Sequence, residues 1–176
     1  DRIVAVAPVV LEDIMIITKN GYGLRFNIEE VPVVGAKAAG VKAINLKDGD
    51  QVAAAFKSMT PSMYILTQRG SLKRMLQDDI PVTSRAKRGL QVLRELKNKP
   101  HRVFKAGPVF TDQGDFDLFT SQEEVAEQDQ ILQITSTTGQ VTEVDLTQLS
   151  ISERTSNGSF VNDSISDQEV FSATIK

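Results

Sequence analysis

The stretch "TQRGSLKRMLQDDIPVTSRAKRGLQVL", Thr67–Leu93, repeats the punctuation of "TKNGYGLRFNIEEVPVVGAKAAGVKAI", Thr18–Ile44, without a gap. Slid by 49 residues, Thr18, Gly21, Arg25, Pro32, Val33 and Gly40 fall on Thr67, Gly70, Arg74, Pro81, Val82 and Gly89. Glu29 and Glu30 fall on Asp78 and Asp79. A further slide of 69 carries Gly70, Ile80, Val82, Arg85 and Gly89 onto Gly139, Leu149, Ile151, Arg154 and Gly158. The matches lie at turn-forming and apolar positions, and a period of about 40–50 residues is that of a propeller-like or solenoid array. The chain therefore reads as one domain written three times, with repeats at roughly 1–49, 50–100 and 101–176.

Each copy reads as strands. "IMIIT", "MYILT" and "ILQIT" are short runs of β-formers, each followed by a turn that closes on glycine: "KNG", "QRG" and "TTG". Asn-Gly is the strongest short hairpin signal, because glycine accepts positive φ. A second extended piece follows, then an acidic pair, Val/Ile-Pro-Val, and a basic loop closed by glycine. Proline cannot donate to a sheet ladder, so Pro32 and Pro81 belong at a strand start, an edge or a bulge. Helical periodicity is weak, with residues 90–97 and 121–130 the only candidates. The expected class is all-β, about four strands per unit and three units. "DRIVAV" at the start matches "DQVAAA" from Asp50, so Arg2–Ala7 is expected to be a strand that closes a blade.

Charge divides the chain. Residues 1–107 hold 18 Lys and Arg against 10 Asp and Glu, a balance of +8. Residues 108–176 hold 2 against 13, a balance of −11, and the sum is the net −3. Such asymmetry points to a basic region that meets a polyanion beside an acidic one that does not. Thr67–Leu93 alone carries six cations. There is no cysteine, which excludes disulfides and thiolate metal sites and fits a reducing cytoplasm. The longest apolar run, Ile3–Leu11, is half a membrane span, so a soluble protein without a membrane partner is expected. His101 is the only histidine, which excludes a His-based metal cluster and argues against a catalytic triad. It falls in the slot of Asp50 at a strand start, where a surface role is expected. "GAKAAGVKA" lacks the Lys-Ser/Thr end of a phosphate-binding loop, and "GYGLRF" lacks the third glycine of a dinucleotide fingerprint.

These units resemble the C-terminal domain of the A subunit of bacterial type IIA topoisomerases, the topoisomerase IV branch more than gyrase. Thr18–Ile44 and Thr67–Leu93 carry the resemblance, and "STTGQVTEVDLTQLSISERTSNGS", Ser136–Ser159, extends it more weakly. The resemblance implies a β-pinwheel, a propeller-like ring whose blades exchange strands, here a partial ring of three blades. It implies a non-catalytic module that binds and bends double-stranded DNA through its phosphates. Expected partners are the rest of the topoisomerase IV A subunit, together with the enzyme's B subunit; ATP and Mg are expected only in other parts of the enzyme. Gyrase domains carry one Gln-Arg-Arg-Gly-Gly-Lys-Gly box that supports wrapping. The matching places here read "VGAKAAG", "TSRAKRG" and "SERTSNG", none an intact box. Two alternatives stay open: a gyrase-type wrapping domain, and a propeller-type protein-interaction module.

The expected phosphate contacts are Lys37 and Lys42 around Gly40, and Arg85, Lys87 and Arg88 before Gly89. Lys19, Arg25, Arg69, Lys73 and Arg74 on the hairpins and Arg94, Lys97 and Lys99 beyond the second loop complete the set. Lysine and arginine on short glycine-closed loops can reach a phosphate backbone, and glycine lets main-chain N–H groups approach it. The acidic stretch 108–130 is expected to steer DNA off the rim or to act only as a solvated insertion.

Overall fold

A computed structural model describes residues 2–8, 12–111, 130–161 and 169–176. Each unit is built on one hairpin: β1 (Asp13–Thr18) with β2 (Tyr22–Asn27), β4 (Ser62–Thr67) with β5 (Ser71–Leu76), and β8 (Ile131–Ser136) with β9 (Val141–Asp145). The hydroxyl residue that opens each turn has a physical task. Thr18 Oγ1 accepts from Tyr22 N at 3.1 Å, Thr67 Oγ1 from Ser71 N at 3.2 Å and Ser136 Oγ from Gln140 N at 3.2 Å. Gly21, Gly70 and Gly139 follow with φ of 79°, 77° and 83°, which lets the two strands pair at once.

The other strands are lent. β3 (Val52–Lys57) and β6 (Leu90–Gln91) belong to the second sequence unit, yet both pair into the first sheet, in the order β3-β1-β2-β6. β7 (Val103–Val109) and β10 (Ser159–Phe160) belong to the third unit and complete the second sheet, in the order β10-β5-β4-β7. β11 (Val170–Ile175) pairs with β8 in a three-stranded sheet, β11-β8-β9. Each of the first two blades thus owns its central hairpin and borrows both edges from the unit that follows. β3 and β7 pack on each other, and the β6 and β10 edges carry the exposed Leu90 and Phe160. This is the all-β pinwheel arrangement, with two four-stranded blades and one three-stranded blade among the described residues.

The lending repeats bond for bond. Thr83 N donates to Arg25 O at 2.9 Å, and Ser152 N to Arg74 O at 2.8 Å. Val92 N donates to Gly21 O at 2.7 Å, and Val161 N to Gly70 O at 3.1 Å. The glycine that opens each outer strand is fixed by crowding. A Cβ on Gly89 would stand 2.3 Å from Gly23 O, and one on Gly158 would stand 2.4 Å from Leu72 O. Both also have positive φ, of 85° and 75°.

Side chains alternate along each strand, so a strand between two blades is buried on both faces. β4, "SMYILT", is buried at all six residues. Met63 and Ile65 join Met15, Ile17, Met75, Ile80, Val92 and Leu93 between the first two blades. Tyr64 and Leu66 join Leu72, Val109, Leu132, Ile134 and Leu146 between the second and third.

Three sequence expectations change. Residues 90–97 are not helical: Leu90–Gln91 is strand β6, and Val92 and Leu93 are buried against the first blade, where Val92 N is bonded to Gly21 O. Arg2–Ala7 forms no strand; Arg2, Ile3 and Val4 line a cavity with Val52 and Val103, and no backbone ladder joins them to a described strand. His101 is not a surface residue; it is 6% exposed, and its Nδ1 lies 3.0 Å from Thr67 Oγ1. Of the second helix candidate, 121–130, residues 121–129 lie outside the described residues, as does 112–129 of the acidic stretch.

Crowding separates otherwise identical glycines. Gly40 has φ of 80° but nothing within 4 Å of its missing Cβ. Gly40→Ala is expected to cost about 1–2 kcal/mol, the left-handed backbone term alone. Gly89→Ala and Gly158→Ala are expected to cost clearly more, because main-chain atoms must also move. Denaturant unfolding of the three variants checks the order.

Candidate nucleic-acid interface

The two glycine-closed loops, 83–89 and 152–158, each lie across a joint between blades. Loop 83–89 is pinned to the first unit by its own cations. Arg85 N donates to Glu30 Oε2 at 3.0 Å, its Nε to Glu30 O at 3.0 Å and its Nη1 to Lys42 O at 2.7 Å. Ala86, at φ 62°, donates its N–H to Ala43 O at 2.7 Å, and Asn45 N donates to Lys87 O at 2.8 Å. Arg88 lies over the Tyr22 ring, 4.3 Å from its centroid, and donates to the Tyr22 hydroxyl at 2.5 Å. A guanidinium over an aromatic face is attracted by the ring quadrupole, so Arg88 holds the loop down.

Loop 152–158 is held in the same way by residues of the second unit. Ser71 Oγ donates to Asn157 O at 2.7 Å, and Arg94 N donates to Asn157 Oδ1 at 2.8 Å. Arg154 Nη1 donates to Gln91 O at 2.5 Å. Arg25 and Arg74, equivalent residues on β2 and β5, reach the 3-10 turn of the next unit. Arg25 pairs with Asp13 at 3.1 Å and Asp78 at 2.7 Å, and Arg74 donates to Ser62 Oγ at 2.9 Å and Thr147 O at 2.7 Å. In the third unit this position is Glu143, bonded to Lys176 and Gln133; the Lys176 bond above all holds its carboxyl below the usual range.

The thirteen expected contacts therefore separate into two groups. Lys19, Lys37, Lys42, Lys87, Arg94, Lys97 and Lys99 are exposed. Lys19 and Lys42 lean on Gln51 and Asn45 at 2.9 Å, which leaves their ammonium groups in solvent. Arg25, Arg74, Arg85 and Arg88 are half-buried ties between blades. Arg69 is half-buried too, bonded to Lys99 O at 2.7 Å, 3.1 Å from His101 Nε2 and over the Phe160 ring at 5.6 Å. Lys73 is withdrawn from the set. It is 2% exposed and its ammonium is taken up by main-chain carbonyls, which leaves no donor for a phosphate. Sequence reading passed over Asn45, Ser71 and Asn157, whose bonds hold the loops. The signal was available for Asn45, which the 49-residue slide places on Arg94.

Loop 83–89 and the chain around it form a pocket of about 270 Å³ lined by Gly23, Leu24, Ile80, Pro81, Lys87 and Arg88. A second, of about 380 Å³, lies beside loop 152–158 and is lined by Arg94, Leu96, Ser152, Glu153, Ser156 and Asn157. The first joint offers Lys42 and Lys87, the second Arg94. Among the described residues no three His, Cys, Asp or Glu side chains are close enough to hold a metal.

Burial acts against the Lys73 charge. Desolvation, aided by the neighbouring Arg154 guanidinium, lowers its pKa from 10.5 to about 7, and Asp79 opposes the shift. A base whose pKa falls on folding binds fewer protons when folded, so stability rises with pH between the two values. Relative to Lys73→Met, the native chain is expected to gain stability from pH 7 to 10, read by urea unfolding at each pH. A flat difference contradicts it.

The chain belongs to the family described as "DNA gyrase C-terminal domain, beta-propeller", whose model matches residues 12–58 and 62–109. It is 59% identical over 175 residues to the DNA topoisomerase 4 A subunit of Streptococcus pyogenes serotype M3, and 58% identical over 176 residues to that of Streptococcus pneumoniae serotype 4. These matches take in 98% and 100% of the chain, which spans 21% of the length of either relative. The crystal structure of the C-terminal domain of DNA topoisomerase IV is 32% identical, with a TM-score of 0.74, over 94% of this chain and 46% of that one. The E. coli ParC C-terminal domain shares the fold at 12% identity and a TM-score of 0.63, over 93% of this chain and 62% of that one. The sheets described above are thus a β-pinwheel of the topoisomerase IV and gyrase A type.

Proposed function

We propose that this chain is a DNA-binding, DNA-bending segment of a topoisomerase IV A subunit, which presents duplex DNA to the enzyme's strand-passage machinery. The chemistry of passage, relaxation and decatenation, with its ATP and Mg, is carried by the remainder of that polypeptide together with the enzyme's B subunit, in the cytoplasm. The observation that carries the reading is the division of the cations. Those at the blade joints hold the loops, and Lys37, Lys87 and Lys97 carry their charge in solvent, where a curved polyanion can meet it. Relatives named as the A subunit of topoisomerase 4, at 59% and 58% identity, support it. No described helix is long and apolar enough to cross a membrane.

Phosphate contacts position DNA without reading bases, so binding is expected to be salt-dependent and weakly sequence-selective. With about five phosphates neutralised, log K against log salt slopes at about −4 to −5 on B-DNA. Lys37→Ala, Lys87→Ala and Lys97→Ala together are expected to make the slope shallower by about 2 to 3 and to leave the unfolding midpoint unchanged. Arg88→Ala is expected to lower the midpoint instead. A salt-independent affinity, or a triple variant that binds as the native chain does, favours a protein-interaction module.

A further inference from the structure

Lys73 and Leu24 occupy the same place in successive units, 49 residues apart. Leu24 is fully buried and belongs to an apolar cluster with Ile16, Phe26 and Ile44. Lys73 is just as enclosed but ends in a charge. Its Nζ donates to Val92 O at 2.6 Å, Arg154 O at 2.6 Å and Ser156 O at 2.9 Å, with Glu153 O at 3.5 Å. An ammonium has three N–H donors, and three carbonyls stand well within hydrogen-bond distance. One belongs to the second unit and two to loop 152–158 of the third. A buried ion unanswered by such partners would cost several kcal/mol; the three carbonyls offset part of that cost, so the cage holds the ammonium without favouring it over the neutral amine.

We infer that Lys73 is a positioning residue for the rim: its ammonium draws the main chain of loop 152–158 onto the second blade and sets where that loop stands beside Arg94. The inference rests on the DNA-binding reading for its consequence but not for its geometry. Since the contacts are to main-chain carbonyls, the clasp is indifferent to the loop's side chains. It also makes the two joints unlike. The first closes on apolar packing around Leu24, and the second on an ion that only an amine can supply.

The test uses amide hydrogen exchange at pH 6, where the amine is charged. Ser152 N, Ser156 N and Gly158 N report the second joint, through bonds to Arg74 O, Glu153 O and Ser156 Oγ. Asn45 N and Ala86 N report the first, through bonds to Lys87 O and Ala43 O. In Lys73→Met, which restores an apolar side chain of similar length, the second set is expected to exchange about tenfold faster or more, and the first set to be unchanged. In Lys73→Ala, added n-propylammonium, which matches the atoms removed, is expected to restore protection where sodium at the same concentration does not. Native protection of the second set in Lys73→Met overturns the clasp. So does exchange that rises equally at both joints without rescue by the amine, which would make Lys73 ordinary core filling. DNA affinity of Lys73→Met separates the two layers. Selective loosening with unchanged affinity keeps the clasp and removes its role in DNA binding; loosening with weaker binding supports both.

Discussion

The structure depends on one repeated act, the lending of two strands from each unit to the blade before it. A hairpin alone is marginal in water, and three or four strands with packed faces are needed for independent stability. Neither of the first two units supplies them alone. β1 and β2 gain a sheet only when β3 and β6 arrive from the second unit, and β4 and β5 only when β7 and β10 arrive from the third. The outer strand can enter because a glycine with positive φ leads into it, pressed against a carbonyl of the receiving strand. At Gly89 and Gly158 a side chain would occupy the place of that carbonyl. Blades bound in this way are linked through main-chain ladders as well as through the apolar clusters between them.

Charge at the joints follows from that arrangement. A lent strand brings its preceding loop across the boundary, and the loop's main chain needs partners there. Arginine supplies them with a rigid fork that reaches two or three acceptors, as Arg85 does with Glu30 O and Lys42 O. The basic character of the segment is therefore shared between two tasks. Arg25, Arg74, Arg85 and Arg88 bind protein to protein, and Lys37, Lys87 and Lys97 carry their charge in solvent. The third unit keeps the loop and its glycine but reverses the tie position to Glu143 and offers few cations, so the basic face fades along the chain.

Much of the fold was legible because its constraints are local. Thr/Ser-x-x-Gly turns, strand-length β-formers and the glycine before each lent outer strand recur in register, and repetition exposes them. The sequence does not say which sheet a strand joins, so Leu90–Leu93 reads as weakly helical in isolation from the blade that receives it. The cations were legible as a set but not by role, since lysine and arginine look alike whether they face solvent or a carbonyl. Lys73 is the sharpest case. "SLKRML" alternates as a strand should, yet between two blades both faces are interior, so an alternation of polar and apolar residues no longer marks an exposed side. His101 misled for the related reason that its place at a strand start packs against the β4–β5 turn, at Thr67 and Arg69, and beside the Phe160 ring.

Differential lysine acetylation, with and without a short DNA duplex and read by mass spectrometry, tests the division of the cations most directly. Lys37, Lys87 and Lys97 should label readily in the free chain and be protected by DNA, and Lys73 should resist labelling in both states. Equal labelling of Lys37, Lys87 and Lys97 with and without bound DNA, or ready labelling of Lys73 in the folded chain, would contradict the account.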